Sequence, residues 1–390
     1  MKFEQVYNVV NETAKELIGE AIILNKDLSN IVDVGKEMFE KSDVDVITEK
    51  LVDKVGKVVF VSRAWAFNLQ NIHRETWEYG AVMQKVHMLP VDAVKSDTWA
   101  LKDGQTYDPN IFYAPKAVQK LFKDKTTFDV RVSFPYLQVK SAFNSAIEMN
   151  AFLAMIEQNA NNEMNLRIFG LTQSTVNSFL ARTLHNDFPA KDYTTKSGQK
   201  AVNLLKLYND TFNPSPALTV DKCLTTPEFI RFAVGQMKLY IDKLASVSTL
   251  FNIGGTRKQT SGDRLNAILH SEFKTMADVY LQSDVFHNQY TALPAADTLA
   301  FWQGEGKSFS FTDTSSIDVS FKDDKDKKQT VKTSGILGCL FDREALGICN
   351  LDRRTHSNFN PAGEFYNNFY KVDVGFYNDL NENFVMFFVA

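Results

Sequence analysis

The residue types that could carry chemistry are present in this chain, but their spacing rarely suits it. Gly254 and Gly255, followed by Thr256, Arg257 and Lys258, have the composition of a phosphate cradle. They lack the GxxxxGKS/T spacing that lets successive backbone amides and a lysine surround a phosphate, and residues 239–251 before them read as helix rather than strand. A loop rounding a tight corner is the expected role. The six histidines, His73, His87, His185, His270, His287 and His356, form no HxxxH pair, and the run from His270 to Glu272 is too short for HExxH. No metal site and no cofactor is expected. Cys223, Cys339 and Cys349 are odd in number and fall in no CxxC spacing, so they read as reduced thiols in or near a core. No GxSxG elbow occurs, and neither Cys339 nor Cys349 has a histidine close in sequence, although triads need only proximity in space. Asp342 and Glu344, like Asp352 beside Arg353 and Arg354, are carboxylates and cations of the kind that pair at the ends of elements more often than they catalyse. An enzyme survives only as a dispersed site drawing on residues such as His270, Asp342 and Arg353, and the expectation is that the chain is not an enzyme.

The elements around these residues are more informative. Near the end of the chain Val372, Val374 and Phe376 alternate with Asp373 and Gly375, the period of a half-buried strand. A polar, turn-like run follows at 378–383, and residues 384–389 are then apolar without a break. The two apolar stretches are expected to form a hairpin at the centre of the fold, with partner strands from 61–134 and from the N-terminal arm. Phe128, Val130, Val132 and Phe134 alternate with Asp129, Arg131 and Ser133 until Pro135 stops the run. Its expected partner is 77–88, which makes 89–126 a long excursion that must pack on something, a neighbouring subunit included. Trp65, Trp77 and Trp99 lie in this region, and Trp is favoured at interfaces.

Residues 1–60 show two or three short amphipathic helices, with Phe3, Val6, Val10, Ala14 and Leu17 on one face and a third candidate at 44–55. Too short to bury much among themselves, they read as an arm laid across something larger. The longest helical period runs over 142–169, is expected to break at Gly170, and resumes over 172–184 with Val176, Phe179, Leu180 and Leu184 aligned. Residues 187–335 mix turns, marked by Pro189, Pro214 and Pro216, with helices at 226–234, opened by Pro227, and at 263–281. The mixed charges of 323–328 read as a solvated hairpin tip, and 335–341 as a strand.

The chain has 390 residues, enough for two or three interleaved subdomains. Its 43 basic and 47 acidic residues leave a net charge of -4, so no basic stripe of the size that phosphate neutralisation needs is expected. No run reaches the eighteen apolar residues of a membrane span, and the start has no signal-peptide stretch, so the chain is expected to be made in a cytoplasm. The 31 phenylalanines bring large apolar area without a polar group to satisfy, which suits sheet packing and buried subunit contacts.

Three stretches carry a resemblance: Pro135-Tyr-Leu-Gln-Val-Lys-Ser-Ala-Phe-Asn-Ser145 at the start of the long helix, His270-Ser-Glu-Phe-Lys-Thr-Met-Ala-Asp-Val-Tyr-Leu-Gln-Ser283 followed by Phe286 and His287, and Cys339-Leu-Phe-Asp-Arg-Glu-Ala-Leu346 leading to Glu382-Asn-Phe384. With the order of elements, the chain resembles the major capsid proteins of tailed bacteriophages with the Hong Kong 97 fold, especially those of small short-tailed phages of Gram-positive hosts. The resemblance implies an α+β fold with an N-terminal arm at 1–60, an extended loop at 61–134, a peripheral domain with a spine helix at 135–186, an axial domain at 187–345, and return strands of the peripheral domain at 346–390. It implies pentamers and hexamers of an icosahedral shell around double-stranded DNA held without sequence preference, in the virion. Its partners would be other copies of itself, a separate scaffolding protein during assembly and a portal protein, with no membrane. Trp77, Tyr79, Trp99, Phe128 and Arg131 are the expected inter-subunit contacts. No lysine in 61–134 stands out for the Lys-Asn cross-link that some members form. An encapsulin-type compartment shell is the alternative of the same fold.

Overall fold

The computed structural model describes residues 3–18, 25, 29–41, 69–74, 83–88, 91, 93–96, 98–135, 146–282, 296–302, 315–323 and 326–390. Its helices are α1 (Phe3–Ile18), α2 (Ile31–Lys41), α3 (Ala146–Asp187), α4 (Leu204–Phe212), α5 (Val220–Cys223), α6 (Pro227–Leu244) and α7 (Ser271–Gln282). Its strands are β1 (His73–Arg74), β2 (Met83–Met88), β3 (Ala117–Phe122), β4 (Lys125–Pro135), β5 (Ala201–Asn203), β6 (Leu265–His270), β7 (Asp297–Leu299), β8 (Ser316–Lys322), β9 (Lys328–Ser334), β10 (Ile336–Asp342), β11 (Leu346–Asn360), β12 (Phe365–Asn378) and β13 (Phe384–Phe388). They build a sheet of order β1-β11-β12-β4, a sheet of order β5-β13-β10-β6-β7, and two ribbons, β2-β3 and β8-β9.

The unbroken apolar run near the end of the chain follows from its place between two cores. Successive side chains of a strand point to opposite faces. Phe384, Met386 and Phe388 therefore join the core around α3, while Val385, Phe387 and Val389 join the core around α6. The Phe384 ring stacks on Phe179 of α3 with centroids 4.2 Å apart, and Phe387 meets Tyr240 of α6 at 5.5 Å. A strand covered on both faces has no use for polar alternation. β10 does the same, sending Cys339 and Phe341 to the first core and Leu337 and Leu340 to the second.

β12 has one wet face and belongs to the other sheet. It pairs with β11 along its length and with β4, where Phe128 faces Val372 and Val130 faces Tyr370. The hairpin expected between 370–376 and 384–389 does not form: the turn at 379–383 carries the chain from one sheet into the other, and β13 pairs with β10 and β5. The partner from 61–134 is present in β4. The N-terminal arm contributes no strand among the described residues; α1 and α2 pack instead on the first core through Val9, Val10, Ala14, Val34 and Met38. The third helical candidate, 44–55, lies outside the described residues.

Three further expectations change. The run 127–134 pairs with β12 rather than with 77–88, because its apolar side finds Tyr370 and Val372 across the sheet; β2 pairs with β3 instead. α3 does not break at Gly170 but continues for 42 residues, about 63 Å at 1.5 Å per residue. A glycine costs about 1 kcal/mol in a helix, which the buried flanks Ile168, Val176 and Phe179 outweigh. The hydroxyls of buried Thr172 and Thr175 donate to the carbonyls of Ile168 and Leu171, each at 2.8 Å. Residues 263–281 are not one helix: 265–270 form β6 between β10 and β7, and only then does α7 begin. Pro227 does open α6, and Asp323, Asp326 and Lys327 of the charged run lie between β8 and β9.

Candidate inter-subunit interface

The ribbon β2-β3 shares neither large sheet, and its position depends on ions. Its register sets Lys85 directly opposite Lys120, on one side of the ribbon, where like charges repel. The turn after β12 answers both. Asp379 accepts from Lys85 Nζ through Oδ2 at 2.9 Å and from Lys120 Nζ through Oδ1 at 2.9 Å, so one carboxylate spans the two strands. Lys85 also donates to Glu382 Oε1 at 2.6 Å and to the Glu344 carbonyl at 3.2 Å, and Lys258 reaches the same Glu382 oxygen at 2.9 Å.

The Asp379 side chain has no exposed surface. Burial by itself raises its pKa, but the hydrogen bonds and charges of Lys85 and Lys120 outweigh burial and push the carboxyl down to about 2. Burial likewise disfavours the Lys85 ammonium, yet its two carboxylate partners hold its pKa above the ordinary value. His87 Nε2 lies 3.8 Å from Asp379 Oδ2 and 3.9 Å from Glu382 Oε1. These three side chains are the group with metal-ligand types among the described residues, but Lys85 already supplies a positive charge to both carboxylates.

The turn that carries Asp379 and Glu382 is itself clasped. The amides of Ile253 and Gly254 both donate to the Leu380 carbonyl at 3.0 Å, and Thr256 Oγ1 donates to the Asn381 carbonyl at 2.9 Å. A Cβ on Gly254 would collide with the Asn381 side chain. The glycine pair rounds a corner as expected, and the amides of Ile253 and Gly254 hold a protein carbonyl rather than a phosphate. Asn383 Nδ2 donates to Thr260 Oγ1 at 3.2 Å, which donates to Asp342 Oδ2 at 2.8 Å, so Asp342 is a structural acceptor.

From this base the chain runs outward between β2 and β3. Among its described residues Trp99 is 101 % exposed and Phe112 86 %, and Val91, Val94, Tyr107, Ile111 and Tyr113 are exposed as well. Large apolar side chains collected on one projecting segment mark an interaction surface. Of the residues expected at subunit contacts, Trp99 is on this segment, while Trp77 and Tyr79 lie outside the described residues. Phe128 is half buried and packs on the chain's own first core. Arg131 is exposed on β4, paired with Asp129 at 2.8 Å and placed over the Phe369 ring. Sequence reasoning missed Lys85, Lys120 and Asp379. Only the 378–383 turn signal pointed toward this region.

The dispersed enzymatic set is not brought together. Asp342 lies opposite Leu265 and Leu269 opposite Gly338, so His270 is about 17 Å along the sheet from Asp342 at 3.4 Å per residue. Arg353 stands on β11 in the other sheet. Burial pushes the Cys223 and Cys349 thiols up to about 11 and that of Cys339 further up, which leaves them unreactive.

A body with two cores of its own thus carries, on a buried ionic base, a segment rich in exposed apolar side chains, as a subunit made to bind a partner does. The family model of the Phi29-like phage major capsid protein matches residues 9–388, and the chain belongs to that family. No curated protein matches the sequence. Similar solved structures share little sequence with the chain. One, described as head fiber and inner core protein gp22 of native bacteriophage P68, is 7% identical with a TM-score of 0.50, covering 84% of this chain and 86% of that one. The capsid of Staphylococcus phage Andhra is 9% identical with a TM-score of 0.48, covering 83% of this chain and 84% of that one. The fold is Hong Kong 97-like, and the protein is a shell-forming head protein of the virion, a structural role. Among the described residues no helix is long and apolar enough to cross a membrane.

Proposed function

We propose that the chain forms pentamers and hexamers of a closed icosahedral shell in which the loop between β2 and β3 of each subunit lies on a neighbour. The observation that carries this reading is the fully exposed Trp99 on a segment whose base is fixed by Asp379. Of the expected contact residues, Trp99 and Arg131 offer the exposed surface for this. In the same reading α3 is the spine of a peripheral domain with β4, β11 and β12, and the sheet of β5, β13, β10, β6 and β7 with α4, α6 and α7 forms the axial domain, which takes β13 out of the peripheral return strands expected at 346–390. The work is mechanical, and no reaction is catalysed.

The proposed partners are further copies of the chain, a scaffolding protein during assembly, a portal protein, and double-stranded DNA. A net charge of -4 favours weak, sequence-independent contact with DNA, which must slide in and out. Electron microscopy of the protein expressed with its scaffolding protein is the test. Closed particles of one diameter are expected from the wild type and not from a deletion of 98–113. Particles formed equally well by the deletion would overturn the role of the loop.

A further inference from the structure

We propose that the free edge of β4 pairs with β4 of a second copy about a two-fold axis, joining subunits of adjoining rings through one continuous sheet. The inference rests on the shell reading above and adds a contact between rings rather than within one.

β4 is eleven residues long, about 35 Å of strand, and lies at the end of its sheet. Its register with β12 runs from Lys125 to Pro135 without a bulge. Among the described residues no backbone hydrogen bond joins β4 to any strand but β12. A row of open amides and carbonyls of that length is a template for another strand, and proteins that keep an edge single blunt it with bulges, prolines or lysines. Here the lysine and the proline, Lys125 and Pro135, stand at the two ends, and the residues between them carry neither.

The strand is complementary to itself. In an antiparallel pair centred on Val130, Asp129 of each copy faces Arg131 of the other, Thr127 faces Ser133, and Phe128 faces Val132. Moving the centre to residue 129 or 131 sets Asp129 against Asp129 or Arg131 against Arg131. Like charges directly opposite destabilise a ladder and unlike ones support it, so charge selects the register centred on Val130. Within the subunit Arg131 Nε donates to Asp129 Oδ2 at 2.8 Å, with the arginine side chain 73% exposed. Asp129 Oδ1 has no donor among the described residues. On the other face Phe128 and Val132 pack on the first core but are only half buried, and the second copy's equivalents remove more of that surface from water.

An axis perpendicular to the sheet keeps α3 of both copies on the same side of it, as a shell with one inner face requires. The contact uses the same patch on both copies and therefore closes at two.

The test is disulfide trapping in assembled particles, the three native cysteines being buried. Thr127→Cys combined with Ser133→Cys sets two thiols opposite each other across the axis, whereas along one strand they are about 20 Å apart. Oxidised particles on a non-reducing gel should give a covalent dimer and nothing larger, and neither single variant should link. A ladder beyond the dimer, a link from a single variant, a link to a different protein, or no link in intact particles overturns the proposal.

Co-expression separates this contact from the ion pair inside the subunit. Asp129→Arg and Arg131→Asp each break the internal pair and set like charges across the axis, so each alone should lower particle yield about tenfold. Made together in one cell, the two variants oppose unlike charges across the axis while both internal pairs stay broken, and most of the yield should return. Normal yield from each alone, or no return on co-expression of two variants that each fold by circular dichroism, overturns the proposal. If the unsubstituted chain closes into particles while 127 and 133 never link, this contact is wrong and the shell reading stands. If it forms no closed particles with its scaffolding protein, the shell reading fails and this contact with it.

Discussion

Lys85 and Asp379 are 294 positions apart in the sequence and 2.9 Å apart in space. Through this contact, and the matching one from Lys120, a carboxylate in the turn before β13 fixes a ribbon that neither large sheet holds. These charged groups, with the Phe122 ring 5.0 Å from that of Tyr377, hold the base of the loop to the body.

Replacing Asp379 by Asn leaves two facing lysines without their shared counter-charge. Removing one partner of a buried ion pair costs about 3–5 kcal/mol. Hydrogen exchange should show β2 and β3 losing protection while β10 and β13 keep theirs. Equal loss in both would mean that Asp379 supports the whole fold rather than the ribbon.

Acid should release the ribbon by the same route. The Asp379 pKa is lowered, so its stabilisation is complete above the unfolded value near 3.8 and is lost as pH falls through about 2. The difference amounts to about 2 kcal/mol. Limited proteolysis of the loop between pH 5 and pH 2 should accelerate in the wild type. In Asp379→Asn it should be fast throughout and nearly flat over this window.

Phe384→Ala and Phe387→Ala should each cost about 3–5 kcal/mol in denaturant unfolding. The first opens a cavity against Phe179 and the second against Tyr240. If only one were costly, β13 would have a single buried face.

Trp99→Ala should leave subunit stability within about 0.5 kcal/mol while reducing particle yield, because the ring touches solvent on all sides. Phe128→Ala should lower stability as well, since it removes packing from the first core. Thermal unfolding beside particle counts separates the two effects.

Local pattern was enough to reveal the apolar run at 384–389, the alternating strand at 127–134, the helix opened by Pro227, the hairpin tip at 323–328 and most of α3. Each is set by side-chain periodicity or by the backbone limits of Pro, which act over a few residues. The excursion after β2 and the place of Trp99 in it were legible for the same reason. Partner choice was not. That β4 takes β12, that β13 leaves the hairpin for β10 and β5, and that Gly170 and residues 265–270 obey their surroundings depend on contacts between distant segments. The ionic base is the clearest case. Asp379 reads only as part of a turn-like run, and nothing local distinguishes Lys85 and Lys120 from other lysines. Only when the β2-β3 register set two ammonium groups side by side, over a turn clasped by Ile253 and Gly254, did one buried carboxylate become the fixed point of the loop.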